Sequence, residues 1–162
     1  MRRYSTLFMN LQAGLFLSST SALDDTYFAD AIIYLTECNA DGALGFVVNR
    51  PFGRSLHELE EFKQSRFFPL YEGGPVDNQH LFFLHCRPAL IAGGTLVSGN
   101  VFSGGNFQQA VNGINNKSLS AEDVKLFIGY CGWDAGELER EIAEGSWVLK
   151  KEADHLVFRT IT

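Results

Sequence analysis

The stretch "AIIYLTECNADGALGFVVNR", residues 31–50, constrains the fold most. Two runs rich in β-branched residues, 31–38 and 43–50, flank a turn that ends in Asp41-Gly42. Asp-Gly between such runs is a strong hairpin signal, and the first run is too short for a lone helix. A β-hairpin is therefore expected here.

Much of the remaining chain follows the same pattern. "GLFLSS" (14–19) reads as a first strand, "PLYEGGPV" (69–76) as a strand broken by Gly73-Gly74-Pro75, and "HLFFLHC" (80–86) as another. "GTLVSGNVFSGG" (94–105) suggests a second hairpin with glycine corners, and "VKLFIGY" (124–130) an interior strand. "SWVLKK" and "HLVFRT" are expected to form a closing pair of strands. Helical spacing intervenes three times. At 54–62 Ser55 and Glu58 form a capping-box pattern, with Leu56, Leu59 and Phe62 three apart. At 106–116 Asn106 is the expected N-cap, and a third acidic helix follows Asp134. Hairpins with interspersed short helices imply an α+β fold, a mainly antiparallel or mixed sheet in a single domain over residues 1–162.

Charge narrows the partners. The chain carries 13 basic against 19 acidic residues, net −6. From Ser120 to Asp154 nine acidic side chains face four basic ones, so this third holds most of the excess. Nucleic-acid affinity comes chiefly from neutralising phosphates, so direct binding to DNA is disfavoured. Cys38, Cys86 and Cys131 are odd in number and far apart, which indicates neither a disulfide framework nor a zinc ribbon. The start of the chain has arginines and apolar residues, but Asn10 and Gln12 interrupt it. A leader or a membrane span needs a longer apolar run, and the expected location is cytoplasmic.

The stretch "FIGYCGWDAGELEREI" (127–142) invites a chemical reading. A glycine-rich turn before a helix can hold an anion, but Asp134, Glu137, Glu139 and Glu141 would repel one. Cys131 ahead of a helix start could be a nucleophile, yet no histidine is near it in sequence. The structural reading explains more residues. Gly129, Gly132 and Gly136 give close backbone approach, Trp133 plugs the junction of strand and helix, and Asp134 with Glu137 caps the helix. A Gly132→Val change is expected to be costly on this view.

No other constellation is complete. His80 and His85 lie five apart in one expected strand, on opposite faces, a poor ligand pair. Asp24, Asp25, Asp30 and Glu37 lack the spacing of a calcium loop. Arg50 and Glu72 could form an ion pair or line a shared cleft. No catalytic residue, metal or cofactor is expected.

The motifs "GLFL", "AIIYLTE", "NADGALGFVVNRP", "YEGGPV", "FFLH" and "GYCGWDAGELEREI" occur in the order found in the YqgE/AlgH family of bacterial proteins, which this chain resembles from Gly14 to Trp147. The resemblance implies a compact α+β fold in the cytoplasm. Members are labelled transcriptional regulators, with no settled biochemical activity. Carried over by motif, Glu37, Asn49, Arg50, Glu72 and His85 are the polar residues expected to meet at a cleft. Gly73, Gly74, Pro75, Gly129, Tyr130, Gly132, Trp133, Asp134 and Glu137 form the structural motif. The family usually has alanine where Cys131 stands and Glu-His where Glu37-Cys38 stands. The expected function is a non-catalytic regulatory or interaction module with a protein or small-molecule partner. The alternative is a small-molecule or nucleotide binder, or an unrecognised enzyme, using the region of Arg50 and Glu72.

Overall fold

The computed structural model describes residues 11–159. The first ten residues of the candidate leader, 1–22, and the last residue of the expected strand 155–160 lie outside the described residues. In chain order the elements are β1 (Phe16–Ser19), β2 (Ile32–Asn39), β3 (Gly42–Val47), β4 (Pro51–Ser55), β5 (Pro69–Glu72), β6 (Val76–His85), β7 (Thr95–Ser98), β8 (Val101–Ser103), α1 (Phe107–Asn115), β9 (Val124–Asp134), α2 (Glu137–Ala143) and β10 (Trp147–Lys150). Short 3-10 turns occupy Ser21–Leu23, Leu56–Glu58, Glu60–Phe62 and Asp154–Phe158. The fold is α+β, and both expected hairpins form, β2–β3 and β7–β8.

The long strand β9 joins two halves of the sheet. Its C-terminal part, from Cys131 to Asp134, pairs antiparallel with β3 and so continues the order β10-β1-β2-β3. Its earlier part pairs antiparallel with β6 on one side and parallel with β5 on the other. Beyond β6 lie β8 and β7.

Where β9 passes from β5 to β3, the Gly73-Gly74 backbone threads between strands. Gly73 donates to the Ile128 carbonyl at 2.8 Å, and its own carbonyl accepts from Val47 N–H at 2.9 Å. A Cβ on Gly73 would lie 2.9 Å from Phe127 Cβ and nearer still to the Gly129 carbonyl. One on Gly74 would collide with the Tyr130 backbone and reach 2.7 Å from Cys131 N. Gly129 answers with φ +75°, a left-handed conformation that side chains resist. Between the pairs Leu81–Ile128 and Val76–Tyr130 it stands opposite four residues of β6, so the ladder is irregular here. Val124, Leu126 and Ile128 face the α1 side, Phe127 and Tyr130 face the interior, and Cys131 and Trp133 face α2.

Strand β6 carries the matching irregularity. Val76 pairs with Tyr130 but Leu81 pairs with Ile128, so residues 77–80 stand outside the β9 register. Asp77 there has φ 52°, uncommon for a residue with a side chain.

Three apolar clusters follow from this sheet. Phe16, Tyr34, Phe46, Leu84 and Phe127 fill the interior, with Val157 and Phe158 from the C-terminal turn. Leu17, Ile33, Val47 and Trp133 pack under Leu138 and Ile142 of α2. Leu70, Phe83, Val124 and Leu126 pack under Ala110 and Ile114 of α1. The sheet curls until Asp154 ties its halves together, accepting from Tyr34 of β2 and Ser98 of β7, each at 3.2 Å.

Several expectations are corrected. Residues 54–62 form the end of β4 and two 3-10 turns rather than one helix, because Leu59 between the turns is extended (φ −83°, ψ 141°). The expected capping box does form, Ser55 N–H bonding Glu58 at 2.7 Å, and the Ser55 hydroxyl also bonds the Phe68 backbone. The run 155–158 belongs to a 3-10 turn, not a strand, and β10 pairs with β1 instead. Lys125 Nζ donates to the carbonyls of Val157 and Arg159 here, each at 3.0 Å, and to that of Val48 after β3 at 2.8 Å. The strand β9 also runs four residues past Tyr130, so Gly132 is a strand residue and no corner. A Cβ there would meet its nearest neighbour, Tyr130 Cε1, at an ordinary 3.6 Å.

Two stability outcomes follow. Gly74→Ala is expected to cost roughly 3–5 kcal/mol in urea denaturation, whereas Gly132→Ala should change stability by no more than about 1 kcal/mol; equal costs would refute the threading described above. Lys125 is 2% exposed, and burial pushes its pKa from 10.5 down to about 7, although its Nζ donates to three carbonyls and lies 4.0 Å from the Tyr71 ring centre. Its pKa in the fold thus lies below that of the unfolded chain. Between those values the native state holds fewer protons, so this site's contribution to stability rises with pH. The stability difference between the native chain and Lys125→Met should therefore grow from neutral pH towards pH 10.5; a level difference would show the carbonyls keeping the ammonium charged.

Candidate functional site

The five polar residues expected to meet do not all do so. Asn49 and Arg50 follow β3, and both hold the loop before β2. Asn49 Oδ1 accepts from Ile32 N–H at 2.9 Å and its Nδ2 donates to Asp30 O at 2.8 Å. Arg50 donates to Ala29 O at 3.1 Å, and its guanidinium lies 4.9 Å from the centre of the Tyr27 ring. Glu72, at the end of β5, accepts from the Tyr27 hydroxyl at 2.7 Å, while its N–H bonds Arg50 O at 2.8 Å. Tyr27 thus links Arg50 and Glu72, in place of a direct ion pair. Burial first, and then Glu72, push its phenol well above the ordinary range, so it stays a donor. The sequence reading missed Tyr27 because it lies in a loop without periodicity.

Glu37 and His85 are elsewhere. Glu37 is exposed near the tip of the β2–β3 hairpin, opposite Leu44. His85 ends β6, fully buried opposite Val124, its ring stacked between Phe83 and Phe102. Its Nδ1 accepts from Arg87 N–H at 3.1 Å, which puts the proton on Nε2. Nε2 has no partner within hydrogen-bond reach. Burial lowers the imidazole pKa more than the neighbouring Gly104 carbonyl raises it, so the ring is neutral at pH 7. A single cleft of all five residues is not what the chain builds.

The stretch 127–142 is structural in a different way from that expected. The N-cap of α2 is Gly136, not Asp134, although Glu137 does reach back to Asp134 N–H at 2.9 Å. Trp133 is the plug the sequence suggested. Its indole and that of Trp147 meet edge to face, and both donate to Glu141 at 3.0 Å. That shared acceptor was not legible, because Trp147 enters from the far end of α2. Cys131 is buried and its thiol, at 3.3 Å from Gly73 O, is pushed up to about 12 by burial. A thiolate is the reactive form, so this residue is no nucleophile at neutral pH. Among the described residues no three His, Cys, Asp or Glu side chains gather as they would around a metal ion, and no helix is long and apolar enough to cross a membrane.

One concavity lies where the sequence singled out no site. A groove of about 460 Å³ runs between the 3-10 turns after β4 and the irregular part of β6. Phe52, Leu59, Phe62, Leu81, Phe107 and Ile128 contribute its apolar wall. Asn78, Gln79 and His80 line it from residues 77–80 of β6, and Glu60 and Glu61 from the second turn. Phe62 and Phe107 pack edge to face at 5.6 Å. His80 is paired with Asp77, which raises its pKa first by hydrogen bonding and then by charge. Ile128, in the wall, is the ladder partner of Glu72, so the groove adjoins the Tyr27–Arg50–Glu72 cluster.

A sequence model of the AlgH-like family matches residues 16–162. The chain belongs to the AlgH-like family. Its relatives include a UPF0301 protein of Chlorobium phaeobacteroides, 33% identical over 155 residues, covering 93% of this chain and 81% of the relative. A UPF0301 protein of Dechloromonas aromatica is 36% identical over 150 residues, covering 88% and 80%. The solution structure of the AlgH protein from Pseudomonas aeruginosa is similar with a TM-score of 0.74 at 29% identity, over 91% of this chain and 80% of that one. A crystal structure of a Corynebacterium diphtheriae protein shares the fold at TM-score 0.72 and 18% identity, covering 90% and 78%.

Thiol chemistry gives the test of this subsection. At pH 8 in native conditions, iodoacetamide should label Cys38 and Cys86, both half-buried, at least ten times faster than Cys131. Labelling of Cys131 at the rate of the other two, read by peptide mass mapping, would contradict its assigned place between Gly73 and α2.

Proposed function

We propose that this AlgH-like chain is a non-catalytic regulatory or interaction module that engages a protein partner through the groove between the 3-10 turns and β6. The groove itself carries this reading: an apolar wall built on a rigid sheet, rimmed by polar side chains, has the form of a recognition site. Its chemistry favours protein over nucleic acid, because the rim is acidic and the chain carries net −6. Any regulation of transcription would then be indirect, and the setting expected for it is the cytoplasm.

The small-molecule, nucleotide or enzymatic alternative at Arg50 and Glu72 has less behind it. Arg50 and Asn49 are engaged in holding the loop before β2, and Glu72 would oppose an anionic ligand.

Panning a displayed random-peptide library on the purified chain tests the reading, with Gln79→Trp as the groove-filling control. Gln79 is exposed, so the change should leave the melting temperature within a few degrees. Clones that bind the native chain and bind Gln79→Trp at least ten-fold more weakly are expected. No enrichment, or enrichment indifferent to the substitution, would overturn it, as would salt-sensitive binding of sheared DNA to the purified protein.

A further inference from the structure

The composition of the groove says what kind of segment would fill it. Its apolar wall is aromatic and branched aliphatic, from Phe52, Leu59, Phe62, Leu81, Phe107 and Ile128. A surface of that kind accepts an apolar side chain rather than a sugar or a phosphate. The rim is one-sided in charge. Glu60 and Glu61 line the groove, and Asp77 stands beside its third ionisable lining residue, His80. Among the described residues no lysine or arginine lines the groove; Lys63 pairs with Glu60 at 3.1 Å in an exposed contact worth little. Glu61 and His80 both line the groove, one from the 3-10 turn and the other from β6.

The remaining lining groups suit a main chain. Asn78 and Gln79 offer two carboxamides, each with donors and an acceptor matching those of a peptide group. They sit on the part of β6 that stands outside the β9 register, where the strand is turned aside at Asp77 (φ 52°). Irregularities of this kind re-aim side chains next to binding sites.

Resting on the groove reading above, we propose that the occupant is an extended peptide segment of a partner protein, with an aromatic or branched aliphatic anchor next to lysine or arginine. The anchor enters between Phe62, Phe107 and Leu81, the carboxamides of Asn78 and Gln79 hold its main chain, and Glu60 and Glu61 meet the basic neighbours. An acidic or phosphorylated segment is rejected by the same carboxylates.

Two fluorescent synthetic peptides test this, alike in a central Leu-Phe pair but flanked by lysines in one and by glutamates in the other. Anisotropy titrations would be run against the native chain, Glu61→Lys and Gln79→Trp. The lysine peptide should bind the native chain at least ten-fold more tightly than its glutamate twin. Glu61→Lys should narrow or reverse that preference, and Gln79→Trp should abolish binding. Glu61 is exposed, so its reversal leaves the core untouched. Equal affinity for both peptides, with loss on Gln79→Trp, would overturn the basic-segment assignment while leaving the groove as the working surface. Binding of the lysine peptide that survives Gln79→Trp, or no binding of either peptide, would overturn the assignment too. If the library panning also yields nothing sensitive to Gln79→Trp, the groove reading falls with it.

Discussion

Everything in this fold hangs on the passage of one backbone through another at Gly73, Gly74 and Gly129. The strand β9 must serve two half-sheets, pairing with β5 and β6 first and with β3 afterwards. The changeover leaves no space for a Cβ at Gly73 or Gly74, and it requires the left-handed turn that Gly129 supplies. Hydrogen bonds from Gly73 N–H to Ile128 and from Val47 N–H to Gly73 then tie three strands at one point. The left-handed Gly129 lies where the outward β9 side chains change from facing α1 to facing α2.

The same point determines the surface proposed to work. Opposite Gly129, β6 carries four residues, 77–80, outside the ladder, and Asn78, Gln79 and His80 among them line the groove beside the turns after β4. The groove is thus a by-product of joining the halves of the sheet, given an apolar wall by α1 and the 3-10 turns. Tyr27, Arg50 and Glu72 lie beside it, but their polar atoms mainly fasten a loop. A structural use of this kind explains why residues so prominent in the sequence do not amount to a site on their own.

Legibility in the sequence followed local signals. The Asp41-Gly42 hairpin, the Asn106 cap of α1 and the Trp133 plug could be read because neighbours in sequence create them. The helix expected at 54–62 is split into two 3-10 turns by the extended Leu59, and Ser55 also bonds Phe68, thirteen residues on, a partner no local pattern announces. The strand expected at 155–160 failed because Lys125 supplies donors to the carbonyls of Val157 and Arg159 from across the molecule. Gly132 does not need the close approach expected of it, since glycine marks close approach at Gly129 and mere exposure at Gly132. The groove was invisible for a related reason: Phe52, Phe62, Leu81, Phe107 and Ile128 come together only through the tertiary fold.

Native-state hydrogen exchange of individual amides tests the glycine crossing most directly. The Gly73 and Val47 amides, bonded at the crossing, should exchange only through global unfolding, with free energies equal to that of the whole chain. Exchange of either amide by local opening, at a free energy several kcal/mol below the global value, would show that the crossing is not what holds the two half-sheets together.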